Sequence, residues 1–193
     1  MLLRAEARRR GAGAASQLVF LSDGALWAEE LATQCFTGCV SILDFYHASE
    51  RLHELAGALN PDCAKARVQR WKKLLLSDRV DTVIEQARAW EKECCVDAER
   101  ARENLGFLDR HKHRMLYGTY RKNGWFIGSG VVEAGCRTVV GKRLKQSGMF
   151  WSESGATGVL NFRTLLLSGR FDDFWRARAD HHAARNDVLT LAA

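Results

Sequence analysis

The chain has 193 residues, of which 47% are hydrophobic and 27% charged, and this balance excludes a disordered, collagenous or fibrous protein. It is long enough to bury a core without disulfides or metals. No apolar run approaches the roughly 18 residues of a membrane span, and the basic start is not followed by the apolar stretch of a signal peptide.

Lys and Arg number 29 against 23 Asp and Glu, a net charge of +6, which favours a polyanionic partner as much as a solvated basic face. A single proline, Pro61, stands where average usage gives roughly ten, and predicts a mostly helical chain. None of the six cysteines forms a CxxC pair, so they are expected to be reduced, small, buried residues. Zinc at Cys35 and Cys39, or at Cys94 and Cys95 with His111 and His113, lacks the usual ligand spacing.

In chain order, residues 2–15 read as a charged helix that decays at Gly11 and Gly13. The run Gln17–Ser22 is too short for a helix and predicts a buried strand, with Asp23 at its carboxyl end and Gly24 in a tight turn. A helix follows from Ala25 to about Thr33, with Leu26, Trp27 and Leu31 facing inward. A second strand, Cys39–Asp44, again ends in an aspartate, and a helix runs from Phe45 to about Leu59. Strand, helix and strand with short connections predict a parallel pair, with Asp23 and Asp44 at one carboxyl edge, where chemistry collects in such sheets.

Residues 62–122 show only helical spacing, as in Val68, Trp71, Leu75 and then Val80, Val83, Ile84, and predict a bundle in which Ser77 caps one helix and another runs from about Asp97 to Tyr117. At 123–130 glycines and a serine make a loop. A helix from Val131 to Gln146 then carries Glu133 in its first turn and a buried stripe of Val132, Cys136 and Val139. Ser152 caps a helix to about Ser168 with Gly169 beyond it, and a last helix from Phe171 to about Ala184 packs Phe174 and Trp175 before a frayed tail.

Taken singly, Asp23 reads equally as a turn or N-cap residue, and Glu133 as a first-turn helix acid. Together the segments SDGALW (22–27), ILDFYHASERL (42–52) and IGSGVVEAGCRTVVGKRLKQSGMFWSESGA (127–156) resemble the C-terminal part of bacterial insertion-sequence transposases of the Kra-type group, over residues 2–175. The resemblance implies an α/β, predominantly helical chain: a partial RNase H-like fold with two parallel strands remaining and an all-helical insertion. It divides the chain into a remnant of the RNase H-like core over 1–49, the insertion over 50–123, C-terminal core helices over 124–170, and a C-terminal helix and tail over 171–193.

The implied activity is metal-dependent DNA strand cleavage and strand transfer. Asp23 and Glu133 match catalytic carboxylates that would share Mg²⁺ or Mn²⁺, two ions in the intact family enzyme. Asp44 and His47 match the auxiliary D-x-x-H pair. Arg137, Lys142, Arg143, Lys145 and Trp151, with Trp125, would line the DNA path. Implied partners are DNA (transposon ends and target), a further copy of the chain or an intact transposase, and no membrane, at a cytoplasmic, nucleoid-associated location. The first three strands of the family fold, with its first catalytic aspartate, match nothing in the chain, so the expectation is a truncated transposase, incomplete as an enzyme by itself. A non-catalytic DNA-binding or oligomerising fragment and a plain helical interaction module are the alternatives.

Overall fold

The computed structural model describes residues 2–190, with side chains from Leu3 to Arg185. The C-terminal tail beyond 190 lies outside the described residues. Contacts divide the chain into two compact units, residues 1–129 and 130–193.

The first unit opens with α1 (Leu2–Arg9), which stops before the predicted Ala15 because Gly11 turns the backbone at φ +89°. Then come β1 (Val19–Ser22), α2 (Leu26–Cys35), β2 (Val40–Leu43) and α3 (Phe45–Leu59). β1 and β2 form a two-stranded parallel sheet in the register Val19 to Val40 and Ser22 to Leu43. A 3₁₀ turn at Pro61–Cys63 leads into α4 (Ala64–Leu75), α5 (Val80–Cys94) and α6 (Ala98–His111). A second 3₁₀ turn at Lys112–Arg114 precedes α7 (Tyr117–Lys122). The chain is thus mostly helical with two parallel strands, the α/β class expected from the sequence.

α3 is the hub of the core. Its buried residues Ala48, Leu52, Leu55, Ala56 and Leu59 recur at helical spacing and join Ile42 and Leu43 of β2, Val68 and Trp71 of α4, Val83 of α5 and Leu108 of α6 in one apolar cluster. Two strands of four residues are marginal alone. Here β2 is anchored in the helical core, since Ile42 and Leu43 are fully buried in the same apolar cluster as α3.

Several local expectations are corrected. In α2 the inward face is Ala28 and Ala32, while Leu26 and Trp27 are 62% and 67% exposed. The helix presents its small residues to the core, a choice that spacing leaves open. Ser77 does not cap α5; its hydroxyl donates back to Lys73 O, and Asp78 makes the turn with φ +61°. Asp78 caps α7 instead, accepting from Gly118 N at 2.7 Å and Thr119 N at 2.9 Å. The helix predicted over 97–117 breaks after His111, where the 3₁₀ turn places Arg114 in the core. No cysteine is fully buried; Cys63, Cys94 and Cys136 are exposed, and all six are free.

The second unit holds α8 (Gly130–Cys136), a π-helical turn at Arg137–Gly141, α9 (Lys142–Leu144), α10 (Glu153–Leu167) and α11 (Phe171–Thr190). The helix predicted over 131–146 therefore carries a π turn. Arg163 of α10 donates to Thr138 O within that turn through Nε at 3.2 Å and Nη2 at 2.9 Å. Val132 and Cys136 are exposed, so the predicted stripe is not buried. Ser152 caps α10 as expected, accepting from Gly155 N at 3.2 Å, and Gly169 turns the chain at φ +67° into α11. α11 continues past Ala184 and Asn186 to Thr190. Its Phe171, Phe174 and Trp175 gather around Phe162 of α10 at ring separations of 6.0–6.4 Å.

Candidate functional site

The carboxyl edge of the sheet is built by register. Because Ser22 lies opposite Leu43, Asp23 and Asp44 follow at neighbouring strand ends. Their surroundings differ. Asp23 is exposed, and its Oδ1 accepts from Ala25 N at 3.0 Å in a local turn. Asp44 is 1% exposed and serves as N-cap of α3, with Oδ1 accepting from Tyr46 N at 2.7 Å. Its Oδ2 accepts from Ser129 N at 3.0 Å, so both oxygens are engaged by backbone donors.

The glycine-rich segment makes that second bond possible. Phe45 N donates to Ile127 O at 2.8 Å, which seats residues 127–129 on the start of α3. A Cβ on Gly128 would come within 2.8 Å of Tyr46 Cε2, so the close approach needs a glycine. His47, one turn into α3, has its Nδ1 buried 3.6 Å from Asp44 Oδ2, while its side chain is 43% exposed. Burial first, and then the negative charge of Asp44, raises the Tyr117 hydroxyl pKa.

Beside this edge lies a buried ionic cluster that sequence reading missed. Arg114, 1% exposed, reaches Glu29 of α2 through Nη1. Its Nη2 donates to Ser22 Oγ at 2.7 Å and lies 3.4 Å from Ile42 O. His111 Nδ1 is 3.0 Å from the same Glu29 oxygen. Burial lowers the His111 pKa; Glu29 opposes this, while Arg114, Arg110 and His113 reinforce it. One guanidinium thus ties the end of β1 to β2, α2 and the helical block. Arg114 also lines a cavity of about 250 Å³ with Glu29, Thr33, Ser41 and His113. Arg114 carries no sequence signal beyond lying in a basic run, which ordinarily marks a solvated face.

A divalent ion is tested here on its donors. Mg²⁺ takes one or two carboxylates and keeps several waters. Asp23 fits such a role, with one oxygen free of backbone partners; Asp44 does not, because taking it would strip the α3 cap. Among the described residues, no group of three or more His, Cys, Asp or Glu gathers as a ready-made cage.

In the second unit, Glu133 sits in the first turn of α8 and is exposed. Arg137 lies in the π turn, Lys142 and Arg143 in α9, and Lys145 just after it; all four are exposed. Trp151 lies against Gly155 in the first turn of α10, with its ring edge 3.9 Å from where a Cβ would stand. Trp125 belongs to the first unit; it is half-buried on Tyr120 at 6.0 Å, packed against the core.

No protein-family model, no curated protein and no solved structure matches the chain.

Proposed function

We propose that this chain is part of a DDE-type insertion-sequence transposase with an RNase H-like core, and that DNA is its partner. The observation that carries the reading is the parallel pair whose strands end side by side in Asp23 and Asp44, with α3 opening directly on Asp44 and His47. In this reading Asp23 and Glu133 are the catalytic carboxylates and Mg²⁺ or Mn²⁺ is the cofactor, which would supply positive charge to the scissile phosphate. Asp44 is a positioning residue: it fixes the start of α3 and residues 127–129, and with them the place of His47. Arg137, Lys142, Arg143 and Lys145 neutralise phosphates. The DNA would be transposon ends and target, met at the nucleoid beside a further copy of the chain or an intact transposase.

A second reading, a DNA-binding fragment without catalysis, keeps the same exposed cations Arg137, Lys142, Arg143 and Lys145 and needs no metal. One experiment addresses both. The purified chain is titrated against fluorescent duplex DNA over a salt series, with and without Mn²⁺. Four phosphate contacts predict a log–log salt slope of about −3.6. Loss of binding at about 50 mM salt, or a flat slope, refutes DNA as the partner. Mn²⁺-dependent cleavage that Asp23→Asn abolishes favours the first reading; salt-sensitive binding without cleavage favours the second.

A further inference from the structure

Phe150 is 97% exposed, the most exposed large apolar side chain among the described residues. It stands in the turn between α9 and α10. Gly148 holds φ +79°, Met149 N donates to Gln146 O at 3.3 Å, and the capped start of α10 follows at Ser152. The ring is therefore carried on a short turn anchored at both ends.

The charge before it in the chain is one-sided, and Glu153 follows in the first turn of α10. Residues 134–152 contain Arg137, Lys142, Arg143 and Lys145, all exposed, and no Asp or Glu. Phe150 lies five positions after Lys145, a span of at most about 18 Å. Exposed rings beside cations, Phe150 and the less exposed Trp151, match a ligand that alternates phosphates with flat apolar faces. A docking protein or a membrane surface would ask for a continuous apolar patch beside the cations. Residues 142–151 offer two adjacent rings, with Leu144 and Met149 only half-exposed, and no such continuous patch. In duplex DNA the base faces are already stacked on one another, so the ring finds a partner only where a base is unpaired.

We infer that residues 137–151 bind single-stranded DNA, or the frayed end of a duplex, with Phe150 stacked on an unpaired base and the four cations on flanking phosphates. This rests on the DNA-binding reading and adds the state of the strand that is bound.

The test uses the full chain with labelled oligothymidylate of about 20 nucleotides and a blunt duplex of similar length, at about 50 and 200 mM salt. Phe150→Ala is expected to weaken single-strand binding roughly tenfold, equivalent to about 1.4 kcal/mol, and to leave duplex binding within about twofold. Phe150→Trp should restore it, and neither change should move the melting temperature, because the side chain packs on nothing. The triple change of Lys142, Arg143 and Lys145 to Ala should weaken both ligands. Unchanged single-strand binding by Phe150→Ala, or equal loss on both ligands, overturns the inference and leaves the DNA reading standing. A wild type that binds neither ligand overturns both. Loss of binding to phosphatidylglycerol vesicles in Phe150→Ala, with single-strand binding intact, overturns it in favour of a lipid surface.

Discussion

Replacing Arg114 with Met keeps the buried stem of the side chain and deletes its charge. The change removes the contacts to Glu29, Ser22 Oγ and Ile42 O, and leaves the Glu29 carboxylate without its nearest cation. Breaking a buried pair by removing one member costs about 3–5 kcal/mol. Glu29 keeps 32% of its side chain in solvent, so the lower end applies, about 3 kcal/mol. For a cooperative unit of 129 residues, unfolding entropy near about 2.1 cal/mol/K per residue gives about 0.27 kcal/mol/K. The expected fall in melting temperature is therefore about 11 °C, read by circular dichroism. The double change Glu29→Met with Arg114→Met should recover part of that loss, because replacing both members by apolar groups avoids the unpaired charge. A single variant melting within about 2 °C of wild type would refute the view that this guanidinium clasps the sheet to the helices.

Acid titration probes the same cluster. The folded-state pKa of His111 is lowered chiefly by burial, so the neutral ring is the one the fold prefers. Its contribution to stability is complete above the ordinary value near about 6.5 and is lost as pH falls toward the folded pKa. Urea unfolding at falling pH should show a weaker decline for His111→Gln than for wild type below that value; parallel curves would exclude the histidine as the source. Asp44→Asn should destabilise by about 1–2 kcal/mol, because the amide cannot accept from both Tyr46 N and Ser129 N. Asp23→Asn should stay within about 0.5 kcal/mol of wild type while weakening Mn²⁺ binding, so equal destabilisation of the two variants in thermal melts would contradict the division made between them. Gly24→Ala forces a Cβ at φ +90° to within 2.9 Å of Leu43 Cδ1, and a loss of about 2 kcal/mol is expected; a neutral result would show that the turn relaxes.

Much of the fold was legible in the sequence because it rests on local periodicity. The apolar runs at 18–21 and 40–43 marked both strands, and the helical spacing of Val68, Trp71 and Leu75 marked α4 and its buried face. Ser152 and Gly169 bounded α10 by capping chemistry that acts within one turn. The aspartates at the strand ends were placed by the same local logic, since a strand that stops at a turn leaves its next residue at the edge.

What the chain order could not carry was decided by packing between distant segments. Whether Leu26 and Trp27 or Ala28 and Ala32 face inward depends on the space left above the sheet, and the small residues won. The pairing of Arg114 with Glu29 and Ser22 joins positions more than 80 residues apart, and nothing in a basic tripeptide announces it. Asp23 and Asp44 look alike along the chain, each an acid ending a short apolar run. The docking of residues 127–129 separates them: Ser129 N takes Asp44 Oδ2 while the cap of α3 holds Oδ1, and Asp23 stays exposed with its Oδ1 on Ala25 N. Sequence periodicity reports which face of an element is apolar; it does not report which buried charge meets which partner, because that is settled by where the elements come to rest against one another.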